Sequence, residues 1–83
     1  MPEEIAIQVE LKSLLRRFAA PERGPQFSQR LPEGATVADL LQRLDIAPKW
    51  IGFVAVNGSK SPPQQVLAEG DRVDIYPPFL SGG

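Results

Sequence analysis

The chain has 83 residues, nine lysines and arginines against ten aspartates and glutamates, and a net charge of −1. It contains no cysteine and no histidine, which excludes disulfides, thiolate nucleophiles, and the commonest metal ligand and general base. The length predicts a single domain, and the balanced charge without a basic cluster argues against nucleic-acid binding. The neighbouring carboxylates Glu3 and Glu4, and Asp71 with Asp74, are interpreted as solvated charges.

The apolar content of 42% is normal for a globular domain. No apolar run approaches the ~20 residues that a membrane-spanning helix needs. The first four residues are acidic rather than the start of a signal peptide. We therefore expect a cytoplasmic protein without a membrane partner.

Strict alternation of apolar and polar residues over 5–11 predicts a half-buried strand close to the N-terminus. Residues 12–20 contain three large apolar side chains at helix-like spacing, which favours a short helix or helical turn. Turn-forming residues at 21–25 close that segment. A weaker alternation over 26–31 predicts a second strand, which should pair antiparallel to the first because it is close in sequence.

The main helix is predicted to begin after Thr36, which is a typical N-cap residue. Asp39 stands at capping-box spacing from it, although Glu or Gln is more usual there. The residues that follow form one apolar stripe at helical spacing: Val37, Leu40, Leu41 and Leu44. A partner-binding face is one interpretation, but in so small a domain we favour the core face. Pro48 sets the end of the helix, since the residue before a proline leaves helical angles.

The apolar run 51–56 predicts a central strand, which Asn57-Gly58 ends. We expect a loop over 59–65 and then a turn over 66–71 that is anchored by a buried Leu67.

The last predicted strand covers residues 72–76. Val73 and Ile75 should point inward, and Asp74 and Tyr76 outward. The order of elements is thus strand, strand, helix, strand, strand. One amphipathic helix with one sheet to cover gives a two-layer α+β fold. We predict a β-grasp, or ubiquitin-like, roll in which a mixed sheet of about four strands packs on one helix, with the first and last strands adjacent in the middle.

The chain ends in a segment that cannot continue the last strand. Pro77 and Pro78 lack the N–H that strand pairing requires. Gly82 and Gly83 have no Cβ, so the end of the chain could enter a narrow slot and present its carboxylate for chemistry. The alternative is an ordinary frayed terminus. We accordingly divide the chain into a β-grasp domain at 1–78 and a C-terminal tail at 79–83.

Three sequence segments resemble one known family. Residues 67–78, the Val56-Asn57-Gly58 run and the terminal Gly-Gly together resemble the ThiS/MoaD group of ubiquitin-like sulfur carriers. Residues 36–41 also resemble the start of the helix in that group. The Tyr-Pro-Pro approach to the tail and the length are closer to the small subunit of molybdopterin synthase than to the shorter thiamine carrier.

The resemblance implies a function in sulfur transfer. An E1-like enzyme would use ATP to adenylate the Gly83 carboxylate, and sulfur would then replace the adenylate to give a thiocarboxylate. An acceptor such as a molybdopterin synthase large subunit would receive that sulfur. The chain would be a co-substrate or a non-catalytic subunit with no bound cofactor. Gly82 and Gly83 would form the chemical site, and the tail residues that would fill the partner's channel are Phe79, Leu80 and Ser81.

Many relatives have a smaller residue where Phe79 and Leu80 stand, so the matching channel should be wider or more apolar. Pro77 and Pro78 would stiffen the start of the tail. Tyr76 and Phe53 are candidates for an apolar docking patch, and the alternative is that they are incidental exposed aromatics. Arg72 could pair with a partner or within the chain.

Three other functions stay open at this point. The sulfur could serve thiamine thiazole or another metabolite. Gly83 could instead be joined to a target lysine, as in a ubiquitin-like modifier. The chain could also be a plain interaction domain whose Gly-Gly is incidental.

Overall fold

The computed structural model describes residues 3–18 and 24–78. They form one mixed sheet of five strands in the order β2-β1-β5-β3-β4. The strands are β1 (Glu4–Leu11), β2 (Gln26–Pro32), β3 (Phe53–Val56), β4 (Ser59–Ser61) and β5 (Arg72–Tyr76). The helix α1 (Val37–Leu44) packs on one face, and there are short 3-10 helices at Ser13–Phe18 and Pro48–Trp50. The predicted ubiquitin-like α+β roll is confirmed.

The first and last strands are adjacent at the centre of the sheet, as predicted. β1 and β5 are parallel, with registers from Gln8 opposite Arg72 to Leu11 opposite Ile75. β2 is antiparallel to β1 on one side, and β3 is antiparallel to β5 on the other. The last strand therefore has a hydrogen-bonded neighbour along both edges.

The sheet has one strand more than the sequence indicated. Part of the expected loop over 59–65 forms β4, which pairs with β3 through a hairpin at Asn57 and Gly58. Both turn residues have positive φ, 52° and 86°, which suits a tight two-residue hairpin. The short Ser-Lys-Ser sequence of β4 has no apolar alternation, so hydrophobic pattern alone could not reveal it.

The core lies between α1 and the inner face of the sheet. The side chains that are 2% exposed or less come from β1, β2, β5, α1, the first 3-10 helix and the turn before β5: Ile7, Val9, Leu15, Leu31, Val37, Leu40, Leu67, Val73 and Ile75. Leu41 and Leu44 are partly buried and pack against the same cluster. The apolar stripe of α1 is thus its core face, and Leu67 is the predicted buried anchor.

The segment predicted as a helix over 12–20 is a 3-10 helix at Ser13–Phe18 in the described part. Leu15 is buried there, whereas Leu14 is 57% exposed. Residues 19–23 lie outside the described residues.

Asp71 is a structural residue rather than the solvated charge that we expected. Its carboxylate accepts hydrogen bonds from Asn57 Nδ2 at 2.9 Å and from the Ala68 amide at 2.8 Å. Asn57 Oδ1 in turn accepts from the Arg72 amide at 2.9 Å. These bonds join the β3–β4 turn to the turn before β5. Two motif segments in the family resemblance therefore meet in space and stabilise the approach to the last strand.

The predicted capping box at the start of α1 is present. The Asp39 amide donates to Thr36 Oγ1 at 3.3 Å, and the Thr36 amide donates to Asp39 Oδ2 at 2.9 Å. A Thr36→Ala variant should lose about 1 kcal/mol of unfolding free energy because an amide of the first helical turn loses its acceptor. Urea denaturation would measure this, with Thr36→Ser as the matched control that keeps the hydroxyl. Equal stability of both variants would contradict a role for the cap.

Candidate functional site

The start of the C-terminal tail is held from two sides. The Ile75 carbonyl accepts a hydrogen bond from the Lys12 amide at 2.9 Å, and the Tyr76 carbonyl accepts one from the Gly52 amide at 2.7 Å. Pro77 and Pro78 follow and are half-buried. The chain therefore leaves the sheet from a fixed point. The predicted site residues of the tail itself lie outside the described residues: Phe79, Leu80, Ser81, Gly82 and Gly83.

Tyr76 and Phe53 form a stacked pair on the outer face of the sheet. They are register partners on β5 and β3, and their ring centroids are 4.4 Å apart with an interplanar angle of 9°. Phe53 is 38% exposed, and Tyr76 is half-buried. The structure brings together the two aromatic residues that the sequence selected, immediately before the tail.

Two lysines flank this aromatic pair. Lys60 Nζ lies 5.3 Å from the centroid of the Phe53 ring, and Lys12 Nζ lies 6.0 Å from that of Tyr76. Both distances are within the range of a cation–π contact. We call the surface of Phe53, Tyr76, Lys12 and Lys60 the aromatic face. It offers an apolar centre with one lysine on each of two sides, and the sequence analysis selected neither lysine.

An ion-pair network lies beside the aromatic face. Glu10 Oε1 is 3.2 Å from Lys12 Nζ and 3.6 Å from an Arg72 guanidinium nitrogen, and Arg72 Nε is 3.8 Å from Asp74 Oδ1. Arg72 thus pairs within the chain.

Asp74 points outward as predicted, but the expectation of a solvated charge was wrong because it is only 8% exposed. It stands at the centre of the sheet opposite Glu10 and Ala55, so side chains of both neighbouring strands cover it. Its Oδ1 has no hydrogen-bond partner among the described residues, which leaves Arg72 as its compensating charge.

Hydrogen bonds from Lys12 and Gln26 hold the pKa of Glu10 below its ordinary value of 4.5. A carboxylate with a lowered folded-state pKa stabilises the fold above its unfolded pKa, and this contribution is lost as the pH falls through the folded-state pKa. A Glu10→Gln variant should therefore be less stable than the native chain near neutral pH. The difference should shrink once the pH falls below the ordinary value of 4.5 and vanish below the lowered folded-state pKa of Glu10.

Urea denaturation at a series of pH values would measure this difference. The control is Glu4→Gln on the same strand, whose ion pair with Arg30 spans 3.7 Å between largely exposed side chains. Such a pair contributes little. A Glu10→Gln difference that does not depend on pH would contradict the prediction.

An open apolar groove of about 870 Å³ lies between the C-terminal end of α1 and the β3–β4 hairpin. Leu41, Ile46 and Ile51 contribute to its apolar lining, and Gly52 and Phe53 form the part nearest the tail. No group of three or more acidic, histidine or cysteine side chains within residues 3–18 and 24–78 could hold a metal ion. Over the same ranges, no helix has the length and apolar character needed to cross a membrane.

The sequence profile of the Mut7-C ubiquitin family matches residues 4–82. The chain belongs to that family. No curated protein matches the sequence significantly. The match covers all five strands and α1 together with the tail as far as Gly82, and it confirms the prediction of a ubiquitin-like protein.

Several solved structures share the fold of this Mut7-C ubiquitin family member. The HVO 2177 protein of Haloferax volcanii has a TM-score of 0.81 at 21% identity, over 96% of this chain and 89% of that one. A protein described as molybdopterin converting factor subunit 1 from Pyrococcus furiosus has a TM-score of 0.73 at 24% identity, over 90% and 99%. The small archaeal modifier protein 1 (SAMP1) of Haloferax volcanii has a TM-score of 0.74 at 23% identity, over 94% and 99%. At these identities the likeness establishes the fold.

Sequence reasoning about this Mut7-C ubiquitin family member found Phe53, Tyr76 and the two prolines but missed Gly52. A single glycine after an apolar residue has no distinguishing pattern in the sequence. Its importance depends on which backbone segment packs against it. Only the tertiary structure shows that this segment is Pro77-Pro78.

Proposed function

We propose that this protein is a ubiquitin-like sulfur carrier. In this proposal an E1-like enzyme uses ATP to adenylate the Gly83 carboxylate, which is converted to a thiocarboxylate and donates its sulfur in molybdopterin or tungstopterin synthesis. The protein acts in the cytoplasm as a co-substrate, binds no cofactor of its own, and delivers sulfur to an acceptor such as a molybdopterin synthase large subunit.

The observation that best supports this proposal is that the chain enters the tail from a fixed point beside the stacked pair of Phe53 and Tyr76. Amides of Lys12 and Gly52 hold the last two carbonyls of β5, so the direction of the chain at Pro77 is determined by the body. Five residues follow Pro78, and an extended chain of that length reaches about 17 Å. That reach would bring Gly83 into a partner's active site while the body remains on the partner's surface.

The chemistry suits a carrier that depends on its partners. A free carboxylate is a poor electrophile, so its oxygen must first attack the α-phosphate of ATP and release pyrophosphate. A hydrosulfide ion supplied by the sulfur donor then attacks the acyl carbon of the adenylate, AMP leaves, and loss of the sulfur-bound proton gives the thiocarboxylate. In this proposal Phe79, Leu80 and Ser81 fill the partner's channel, and the missing Cβ atoms at Gly82 and Gly83 allow close approach to the reacting carbon.

The aromatic face is proposed as the docking surface for both partners. Aromatic side chains are enriched in the centres of protein interfaces, and Phe53 is exposed beside the start of the tail. Lys60 at its edge would favour an acidic group on the partner, whereas Lys12 already pairs with Glu10. The activating enzyme and the acceptor would bind there in turn.

The similarity to the Pyrococcus furiosus protein described as molybdopterin converting factor subunit 1 favours the pterin pathway for the sulfur. Thiamine thiazole or another sulfur metabolite is the alternative acceptor product. Co-purification from the native cell distinguishes these, since a pterin-synthase large subunit supports the first and a thiazole synthase supports the second.

A second candidate is a protein modifier joined through Gly83 to lysine side chains of targets. The similarity to the small archaeal modifier protein 1 supports this candidate as much as the Pyrococcus furiosus likeness supports the first. Both candidates begin with the same adenylation of Gly83 and differ in the nucleophile that follows, which is sulfur in one and a lysine amine in the other.

Intact-mass spectrometry tests the proposal. The full chain is incubated with ATP, a sulfur donor and the E1-like enzyme of its own cell. A carrier gains the mass difference of one oxygen-to-sulfur exchange, whereas a modifier appears as higher-mass conjugates in lysate. The control is a chain lacking Gly83, which should do neither.

If the native chain shows neither the mass gain nor conjugates, both candidates are contradicted. If the chain lacking Gly83 still reacts, Gly83 is not the reactive residue. The same spectrum of protein from its native cell shows whether Gly83 carries the terminal carboxylate, which the proposal requires.

A further inference from the structure

Gly52 lies against the backbone of Pro77 and Pro78, immediately before the tail. An ideal Cβ built on Gly52 would be 2.3 Å from the Pro77 carbonyl oxygen, 2.7 Å from the Pro77 carbonyl carbon and 2.8 Å from Pro78 Cα. All three neighbours are backbone atoms, so a change of side-chain rotamer cannot relieve the clash. A side chain at position 52 would require the start of the tail to move away by about 1 Å or more to regain ordinary contact.

This close approach is the reason for glycine at position 52. Gly24, Gly34, Gly58 and Gly70 all have positive φ with nothing within 4 Å of an added Cβ. Gly52 is the reverse case, since its φ is outside that region and its added Cβ would meet the Pro77-Pro78 backbone. Those four glycines supply a positive φ, whereas Gly52 makes room for another segment of the chain.

The same residue also donates a backbone hydrogen bond to the residue just before the prolines. The Gly52 amide donates to the Tyr76 carbonyl at 2.7 Å, and Pro77 has no N–H with which to extend the pairing. The next residue along, Phe53, belongs to the aromatic face. The exit of the tail and the proposed docking surface are thus joined at two consecutive residues.

We propose that Gly52 is a positioning residue that sets the direction in which the tail leaves the body. The inference rests on the proposed function, in which that direction brings Gly83 to the partner's reacting centre once the aromatic face has docked. A Cβ at position 52 would displace the Pro77-Pro78 backbone and so redirect the tail, while Phe53, Tyr76 and the core remain in place.

Tail direction can be measured without any partner because the chain has no cysteine. A nitroxide attached at position 81 of a Ser81→Cys variant broadens the NMR signals of the body amides that lie nearest to the label. The measurement is made in the native, Gly52→Ala and Gly58→Ala backgrounds. Gly58→Ala is the matched control, because it strains a positive φ of 86° but meets nothing within 4 Å. Both variants should unfold a few degrees below the native chain, about 5 °C.

The expected result is that Gly52→Ala moves the strongest broadening to a different set of body amides, whereas Gly58→Ala leaves the native set. An unchanged set in Gly52→Ala would overturn the inference. Complete unfolding of Gly52→Ala would overturn it as well, since Gly52 would then be required by the body and not by the tail.

Adenylation kinetics separate this inference from the proposed function. With the E1-like enzyme of the same cell, Gly52→Ala should lower kcat about tenfold with little change in KM, and Gly58→Ala should match the native chain. An equal fall of kcat in both variants would mean that the loss of stability alone slows adenylation, and this would overturn the inference. If the native chain is not adenylated but the nitroxide pattern still moves, the proposed function fails while the assignment of Gly52 to tail direction holds.

Discussion

A Leu40→Ala variant is expected to lose about 3 kcal/mol of unfolding free energy. Leu40 is fully buried at the centre of the apolar stripe of α1, and α1 is the only α-helix among the described residues. Truncation removes the transfer free energy of the side chain and leaves a cavity against the sheet. The total free energy of unfolding of a small domain is only about 5–15 kcal/mol, so this loss is a large fraction of it.

Urea denaturation measures this loss from the shift of the midpoint at constant slope. Leu14→Ala is the matched control, since the same truncation is made at a side chain that is 57% exposed. It should change the free energy of unfolding by less than about 0.5 kcal/mol. Similar losses in the two variants would show that the buried face of α1 is not what holds the domain together.

Gly82→Ala is expected to fold like the native chain and to be adenylated about 100-fold less efficiently. The sequence assigns residue 82 to the tail and not to the core, so we expect the thermal midpoint to stay unchanged. In the activating enzyme the same methyl group would stand next to the reacting carboxylate, where a misplacement of about 1 Å costs on the order of 100-fold in rate. The ATP-dependent release of pyrophosphate measures kcat/KM directly.

Ser81→Ala serves as the control because it shortens by one hydroxyl a side chain that is proposed to lie in the same channel, and it adds no bulk to the tail. Its adenylation should stay within a few-fold of the native value. If Gly82→Ala is adenylated normally, the tail does not enter a narrow channel. If it unfolds, the picture of a tail independent of the body is wrong.

Hydrophobic pattern predicted most of the body. The alternation of β1, the apolar stripe of α1 and the inward Val73 and Ile75 each reflect burial against one common core, which sequence periodicity reports directly. The Thr36–Asp39 capping box is also local in sequence. The central pairing of β1 with β5 followed from the need to place two well-alternating strands in the sheet.

The remaining features depend on contacts between distant segments. β4 is short and polar, and it exists because the Asn57-Gly58 turn folds it onto β3. Asp74 is covered because its neighbours in space come from β1 and β3. The requirement for glycine at position 52 arises from the backbone of Pro77 and Pro78. Pro77 is 25 residues further along the sequence. No local pattern contains this information.

The parallel pairing of β1 and β5 has a mechanical consequence. The N-terminal end of β1 and the C-terminal end of β5 lie at opposite ends of one strand pair. A force applied to the tail and opposed at the N-terminal end therefore loads the hydrogen bonds between these strands in shear, all at once. Peeling would instead break them one by one at lower force. Unfolding the body by a pull between the N-terminal end of β1 and the C-terminal end of β5 should thus need a higher force than peeling the two strands apart.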